Sequence, residues 1–140
     1  MGFSALLHAT SAPSSLDGKK ISISSYDSYS GLSYQSDNYF TSSTHAWQFE
    51  SENGDWESKN YIWSSNGALG TLKWGEFPLT GWAMVANMTF TSANSGTITW
   101  TEYELNNSGN LEMDYEGTAS FSMSDYSNSD LPPPEYLFFR

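Results

Sequence analysis

Two histidines are the residues best suited to acid–base chemistry, and the chain contains no cysteine. His8 and His45 are far apart in sequence, and neither lies in a Gly-x-Ser-x-Gly or His-Glu-x-x-His motif. His45 begins a strand pattern with Trp47 and Phe49, which is typical of a histidine at a barrel rim. The lack of cysteine removes thiolate nucleophiles, thiolate metal sites and disulfides. We therefore predict no catalytic residue, no metal site and no cofactor.

Carboxylates are concentrated in two places. Residues 50–57 (ESENGDWE) place four of them around an Asn-Gly turn, where a flexible loop is able to offer oxygens to calcium. This loop lacks the spacing of an EF-hand, so a solvated hairpin tip is the favoured interpretation and calcium is left open. The second group of carboxylates is expected to form one acidic solvent face on two adjacent strands. The alternative is a cleft in which two of these carboxylates pair for glycoside hydrolysis. The members of the second group are Glu102, Glu104, Glu112, Asp114 and Glu116.

Aromatic residues are abundant, with 6 Trp, 9 Tyr and 8 Phe among 140 residues, which indicates a folded chain. Inward-facing aromatics fill a core, whereas outward-facing ones form platforms for sugars. Trp47, Trp82 and Trp100 share their parity with apolar neighbours, and we expect them in the core.

Four other aromatic residues are the candidate ligand-binding residues. Trp56 and Trp74 lie near turns and are predicted to be at the surface. Tyr29 and Tyr34 belong to the Ser/Tyr-rich segment 24–37, and Tyr with Ser gives adaptable contacts in binding loops. A plain edge hairpin is the alternative for that segment.

Length and charge exclude several classes of protein. One hundred and forty residues are enough for one ordinary domain. Sixteen acidic residues against five scattered basic ones give a net charge of −11, which argues against nucleic acid and anionic membranes as partners. The chain has no run of 18 apolar residues, so no membrane-spanning helix is predicted. A transmembrane barrel is disfavoured, because the best strand has a polar face that carries Glu112, Asp114 and Glu116.

Hydrophobic alternation predicts about eight strands. The clearest run covers residues 112–123, where the odd positions are apolar or small and the even ones polar, so the odd positions should face inward. Residues 44–50 are predicted to bury Trp47 and Phe49 and to expose Gln48 and Glu50. The run 97–105 changes parity, which predicts a bulge near residues 101–102. The remaining runs are 19–25, 33–41, 57–64, 68–75 and 82–90.

Turn signals separate these runs. Asn53-Gly54, Asn66-Gly67, Ser95-Gly96 and the segment 107–110 supply residues that tolerate positive φ in tight hairpins. No helix is predicted, apart from one short turn within residues 3–10. The fold class is therefore all-β, an antiparallel meander of about eight strands that closes into a lipocalin-like barrel.

Several segments carry a family resemblance: LDGK at 16–19, YIWSSNGALGTLKW at 61–74, MTFTSANSGTITW at 88–100 and GTASFSM at 117–123. Together they resemble a compact lipocalin-like β-barrel module that recurs in secreted and surface proteins of bacteria. The resemblance covers roughly residues 16–124, and residues 90–97 are its most specific part. It implies a meander barrel and an extracellular or cell-surface setting, with any signal peptide missing from this chain, and it implies no reaction. The Trp-rich strands, the segment 24–37 and the two tails depart from the module.

The tails suggest a function. We divide the chain into an N-terminal arm (1–15), a barrel (16–124) and a Pro-rich apolar C-terminal arm (125–140). The apolar residues of the arms should dock, either on their own barrel or on another copy of the chain. We predict a non-enzymatic structural module that self-assembles through these arms. A binding domain for a small apolar ligand or a glycan is the alternative, and a calycin-like enzyme is third. The predicted assembly residues are Phe3, Leu6, Leu7, Tyr136, Leu137, Phe138 and Phe139.

Overall fold

The protein is described by a computed structural model that covers residues 10–27, 31–51, 54–75 and 83–133. Eight antiparallel strands each pair with the next strand in the chain, and the last pairs with the first, so the sheet closes into a barrel. The strands are β1 (Lys19–Asp27), β2 (Leu32–Phe40), β3 (His45–Glu50), β4 (Asp55–Asn66), β5 (Leu69–Gly75), β6 (Ala83–Ser92), β7 (Ser95–Leu105) and β8 (Leu111–Asp125).

The predicted fold class is confirmed, and each of the eight alternating runs corresponds to one strand. Gly54, Gly67 and Gly109 lie at three of the predicted turns with positive φ, the conformation for which glycine is suited. The predicted turn within residues 3–10 lies almost wholly outside the described residues. The described part of the chain contains one 3₁₀ helix, Asn128–Asp130, and no helix in it is long and apolar enough to cross a membrane.

The prediction of a turn at Ser95-Gly96 is wrong, because both residues belong to β7 and the turn is made by Ala93 and Asn94. Gly96 faces the barrel interior opposite Phe90 and lacks a positive φ. A Cβ at this position would overlap the backbone carbonyl oxygen of Thr89 and lie 3.0 Å from the Phe121 ring. The position requires glycine for close packing and not for turn geometry.

A register shift lies close to the predicted position, but the bulge is in β8 and not in β7. The register between β7 and β8 shifts between Glu102 and Tyr103, which pair with Tyr115 and Met113. Asp114 is therefore the additional residue, and it lies on β8. Beyond this point the hairpin is exposed, and Met113, which we expected to face inward, is 62% exposed. Tyr115 lies at the shift and is 53% exposed, but it lines the barrel interior, as expected.

The hydrophobic core fills the half of the barrel that lies farthest from the β7–β8 hairpin tip. Directly opposed residues face the same side of a sheet, and Ile21 pairs with Met123 while Ile23 pairs with Phe121. All four belong to one buried cluster, and the cluster continues across the other strands. Its largest further members are Phe40, Tyr61, Leu72, Trp74, Met88, Phe90 and Ile98.

The segment before β1 packs against this end of the barrel. Leu16 is fully buried and belongs to the core cluster. The backbone N–H of Ala12 donates to the Gly67 carbonyl at 2.8 Å, and the Trp63 indole donates to the Pro13 carbonyl at 2.9 Å. Residues 12–16 thus close the barrel of their own chain.

A second aromatic group lies on the outer surface of β2, β3 and β4, and we call it the outer cluster. It consists of Tyr39, Trp47, Phe49, Trp56 and Tyr126. Tyr39 and Trp47 are directly opposed, and the Tyr39 ring lies 5.6 Å from Trp56 and 5.4 Å from Tyr126. Phe49 lies 5.0 Å from Trp56. Because Tyr126 follows β8, part of the C-terminal arm also packs on its own barrel.

The predicted orientation of β3 is wrong, because Trp47 and Phe49 belong to the outer cluster. Trp47 is buried, as expected, but it does not belong to the barrel core. Ala46 is in the core, and Gln48 and Glu50 follow it on the inner face. The alternation was correct and the choice of the inner face was wrong, because aromatic residues on the outside are also covered.

Alkaline conditions should weaken the fold through Tyr61. This buried tyrosine donates a hydrogen bond to the Ser42 carbonyl at 2.5 Å, and burial raises the pKa of its phenol to about 12, with smaller contributions from Asp17 and Tyr126. The unfolded chain loses this proton near pH 10, so stability should fall as the pH rises from about 10 through the folded pKa.

Urea unfolding from about pH 9 to about pH 11 measures this effect. Tyr61→Phe should be less stable than wild type at the lower pH by about 1 kcal/mol, through the lost hydrogen bond, and should show a smaller alkaline decline. Equal declines in the two proteins would contradict the assignment to Tyr61.

Candidate ligand-binding cavity

A cavity of about 390 Å³ opens inside the barrel at the end where β1 joins β2, β3 joins β4, β5 joins β6 and β7 joins β8. We call this end the mouth. The size lies within the range of small-molecule sites. Its lining combines aromatic residues (Tyr34, Trp74, Trp100 and Tyr115) with polar and charged ones (Gln48, Glu50, Lys59 and Glu102).

The lining arises from a change in polarity along the inner face of single strands. On β7, Ile98 is fully buried in the core, and Trp100 and Glu102 follow it toward the mouth. On β4, Tyr61 belongs to the core and Lys59 lines the cavity. These two strands thus place apolar residues at the closed end and charged residues at the mouth.

Lys59 is the single basic residue of the described lining. Its side chain is 12% exposed, and its Nζ lies 3.4 Å from a carboxylate oxygen of Glu57 and 5.1 Å from the centre of the Trp74 ring. An ammonium over an indole face is stabilised by the negative potential of the ring. The wall of the cavity therefore already holds one cation.

Glu102 is an acidic lining residue whose proton affinity is changed by this environment. Desolvation by burial raises the pKa of its carboxyl above 4.5, the negative charges of Asp114 and Glu50 raise it further, and the positive charge of Lys59 acts in the opposite direction. The expectation that Glu102 belongs to the acidic solvent face is wrong, because this residue faces the cavity. Glu104, Glu112, Asp114 and Glu116 are exposed, as expected.

The raised pKa of Glu102 predicts a pH-dependent effect of Glu102→Gln on stability. The folded state binds this proton more tightly than the unfolded state, so the carboxylate destabilises the fold as the pH rises from 4.5 through the folded pKa. Glu102→Gln should therefore be more stable than wild type at pH 7, and the gain should vanish near pH 4 as the wild-type carboxyl becomes protonated.

Urea unfolding of both proteins across this pH range tests the prediction. Glu116→Gln is the matched control, because it removes an exposed carboxylate from the neighbouring strand. A gain that is the same for both variants, or that grows toward low pH, would show that the cavity does not destabilise the charge of Glu102.

The position of Trp100 depends on a glycine in the next strand. Gly117 is directly opposite Trp100, and a Cβ there would collide with the indole ring. The missing side chain lets the ring lie against β8, where it comes within 6.4 Å of Tyr115. Both rings line the cavity.

Two buried polar atoms find no hydrogen-bond partner within the part of the chain that the structure describes. They are the indole N–H of Trp74 and the Oδ1 atom of Asn38. The Nδ2 atom of Asn38 donates to the Ile21 carbonyl at 3.1 Å. A buried polar group without a partner carries a free-energy cost, and Trp74 lines the cavity.

The structure brings together two of the four predicted ligand-binding residues. Tyr34 and Trp74 line the cavity, although Trp74 is 1% exposed and not at the surface as its nearness to a turn suggested. Trp56 lies in the outer cluster, on the other side of the barrel wall. Tyr29 is outside the described residues.

Several other predictions concern residues that the structure does not describe. Trp82 is one of them, and so are all seven predicted assembly residues: Phe3, Leu6, Leu7, Tyr136, Leu137, Phe138 and Phe139. The possible calcium loop 50–57 is described without residues 52 and 53. Within the described ranges, no three acidic or histidine side chains are arranged to hold a metal ion.

Sequence reasoning missed Gln48, Glu50, Lys59 and Glu102 as cavity residues. A signal was present, since each shares the parity of core residues farther along its strand. Gln48 and Glu50 follow Ala46, and Glu102 follows Ile98.

The fold and the cavity define an eight-stranded antiparallel barrel with a partly polar interior site, consistent with a lipocalin-like barrel. Comparison with protein families, curated proteins and solved structures gives no match to this chain.

Proposed function

We propose that the protein is a non-enzymatic binding barrel that takes a small amphipathic ligand into its mouth. The observation that carries this proposal is the cavity of about 390 Å³, in which aromatic walls and a few polar groups converge. The apolar ligand that the sequence suggested is replaced by an amphipathic one, because Gln48, Glu50, Lys59 and Glu102 lie in the lining. An extracellular or cell-surface setting, suggested by the resemblance to the bacterial module, is part of the proposal.

A pair of adjacent serines allows a matched test. Ser25 lines the cavity, whereas Ser24 is exposed on the same strand. Ser25→Leu should fill part of the cavity, while Ser24→Leu makes the same chemical change on the outside. Far-ultraviolet circular dichroism establishes that both variants fold.

The experiment is a thermal-melting screen of the full chain with small ring compounds, including monosaccharides, amines and carboxylic acids. Tryptophan fluorescence provides a second signal, since Trp74 and Trp100 line the cavity. Hits should stabilise wild type and Ser24→Leu, and should lose most of their effect on Ser25→Leu. A screen without hits, or hits that stabilise Ser25→Leu equally, would overturn the proposal.

Self-assembly through the arms is a second proposal, which the apolar residues of the two tails favour. Its test is the mass in solution of the full chain and of a chain that ends at Asp130. An assembly that becomes monomeric on truncation would support it, and two monomers would contradict it. The backbone N–H of Ala12 and the hydroxyl of Tyr126 both donate to carbonyl groups of their own barrel, so parts of both arms pack in cis.

A further inference from the structure

We propose that the ligand of the cavity is an organic cation, a ring compound that bears an ammonium group and a hydrogen-bond acceptor. This inference rests on the proposed function and names its ligand class. It follows from the charge of the lining, from the aromatic wall and from the unpartnered indole of Trp74.

The charge of the lining is negative. Glu50 and Glu102 face one basic residue, Lys59, which gives the lining a net charge of −1 whichever groups pair with each other. Two further carboxylates lie close by: Glu57 is 3.4 Å from the Lys59 Nζ, and Asp114 raises the pKa of Glu102. Glu50 and Glu102 repel each other in a partly enclosed space, so a bound cation would stabilise both carboxylates. An anion would add to the repulsion.

The aromatic wall is suited to the same ligand. The Lys59 ammonium, 5.1 Å from the Trp74 ring centre, shows that a cation is accommodated against this wall. Trp100 and Tyr115 lie 6.4 Å apart with their planes at 37°, and both line the cavity together with Tyr34. Rings arranged around one space are the usual means by which proteins bind ammonium groups.

The unpartnered indole N–H of Trp74 is a separate indication of the ligand, and it does not depend on charge. Trp74 is 1% exposed and lines the cavity, and its indole N–H donates to no acceptor in the described ranges. The Nε1 atom is itself buried, so an oxygen of the ligand reaches it when the Trp74 ring turns toward the cavity. A hydroxyl, ether or carbonyl oxygen would then accept its hydrogen bond, which is why the ligand includes an acceptor as well as a charge. A neutral sugar would leave the net negative charge of the described lining unchanged. The net charge of −11 also favours the approach of cations.

Ring-matched probes test the charge directly. Tyramine, 4-(2-hydroxyethyl)phenol and 4-hydroxyphenylacetate share one ring and are cationic, neutral and anionic at neutral pH. 5-Hydroxytryptamine, 5-hydroxytryptophol and 5-hydroxyindole-3-acetate form the same series on a larger ring that also carries a hydroxyl acceptor. Titration calorimetry with the full chain at physiological salt should show the amine of at least one series bound about tenfold more tightly than its neutral partner, and the acid most weakly.

Two carboxylate variants locate the effect. Glu102→Gln should weaken binding of the amine about tenfold and leave the neutral compound unchanged. Glu116→Gln removes the same charge from the exposed face of the neighbouring strand and should change amine affinity by less than about twofold, because exposed charges are screened.

The outcomes separate this inference from the proposed function. If neutral or acidic probes bind as tightly as the amines, and Ser25→Leu abolishes their binding, the barrel binds ligands but the cation assignment is overturned. The same follows if no amine binds and the screen gives only neutral or anionic hits. If no compound of either kind binds, the proposed function and this inference both fail.

Discussion

Gly96→Ala is expected to lower the free energy of unfolding by about 3 kcal/mol or more, the largest effect that we expect for a change of one carbon atom. The new Cβ would overlap the Thr89 carbonyl oxygen in the adjacent strand and press on the Phe121 ring. A backbone carbonyl cannot rotate away as a side chain does, so β6 and β7 would have to separate where Phe90 and Gly96 are paired. Urea unfolding of wild type and variant measures the loss.

Gly117→Ala is a graded control for this prediction. Its Cβ would meet the indole of Trp100, a side chain that is able to move. The expected loss of stability is therefore smaller than at Gly96, and the displaced ring should alter the cavity. Thr97→Ala, at the exposed neighbour of Gly96, should cost less than either glycine substitution. If Gly96→Ala were no more harmful than Gly117→Ala, the backbone contact would not be the constraint.

The two roles of glycine show how far local sequence patterns determine this fold. Gly54 and Gly67 lie in turns that Asn-Gly pairs identify, and both have the predicted positive φ. Gly96 follows serine in a similar pair, yet it lies within a strand. A dipeptide indicates conformational freedom, whereas close approach of another strand depends on residues that are distant in sequence. Such contacts are not visible in a local pattern.

The orientation of β3 shows a second limit of prediction from local sequence patterns. Period-two alternation correctly separates Trp47 from Gln48, but it does not say which of them faces the barrel interior. The usual rule assigns the apolar face to the core, and it assumes that the other face meets water. Here Tyr39 and Trp56 accompany Trp47 on the outside, where Tyr126 also packs. The rule failed because an additional chain segment covers the outer face.

The candidate cavity was less predictable than the strands for a related reason. Tyr34 was identified from local composition, and it does line the cavity. Glu50, Lys59 and Glu102 lie on three different strands and meet only when the barrel closes. Lys59 and Glu102 share the parity of Tyr61 and Ile98, and this was readable from the sequence, although Glu102 was assigned to the acidic solvent face. Glu50 lies on the face of β3 that the pattern assigned to solvent. A binding site inside a barrel reverses this expectation, because a partly polar interior is what a ligand requires.

Leu16→Ala is expected to destabilise the protein by about 2–5 kcal/mol, although the residue precedes the first strand. Its side chain is fully buried in the core cluster, and residues 12–16 are tied to the barrel by Ala12 and by the Trp63 indole. Removing the side chain loses apolar burial and leaves a cavity under the segment that closes the barrel. Urea unfolding and the melting temperature report the change.

Leu111→Ala supplies the matched comparison for Leu16→Ala. It makes the same chemical change at a leucine that is 52% exposed at the start of β8, so its cost should stay near or below about 0.5 kcal/mol. Similar small losses in both variants would mean that the segment before β1 contributes little to the fold. A large loss at Leu16 alone would establish that the barrel extends beyond its eight strands, because the closed end is completed by a segment without strand structure.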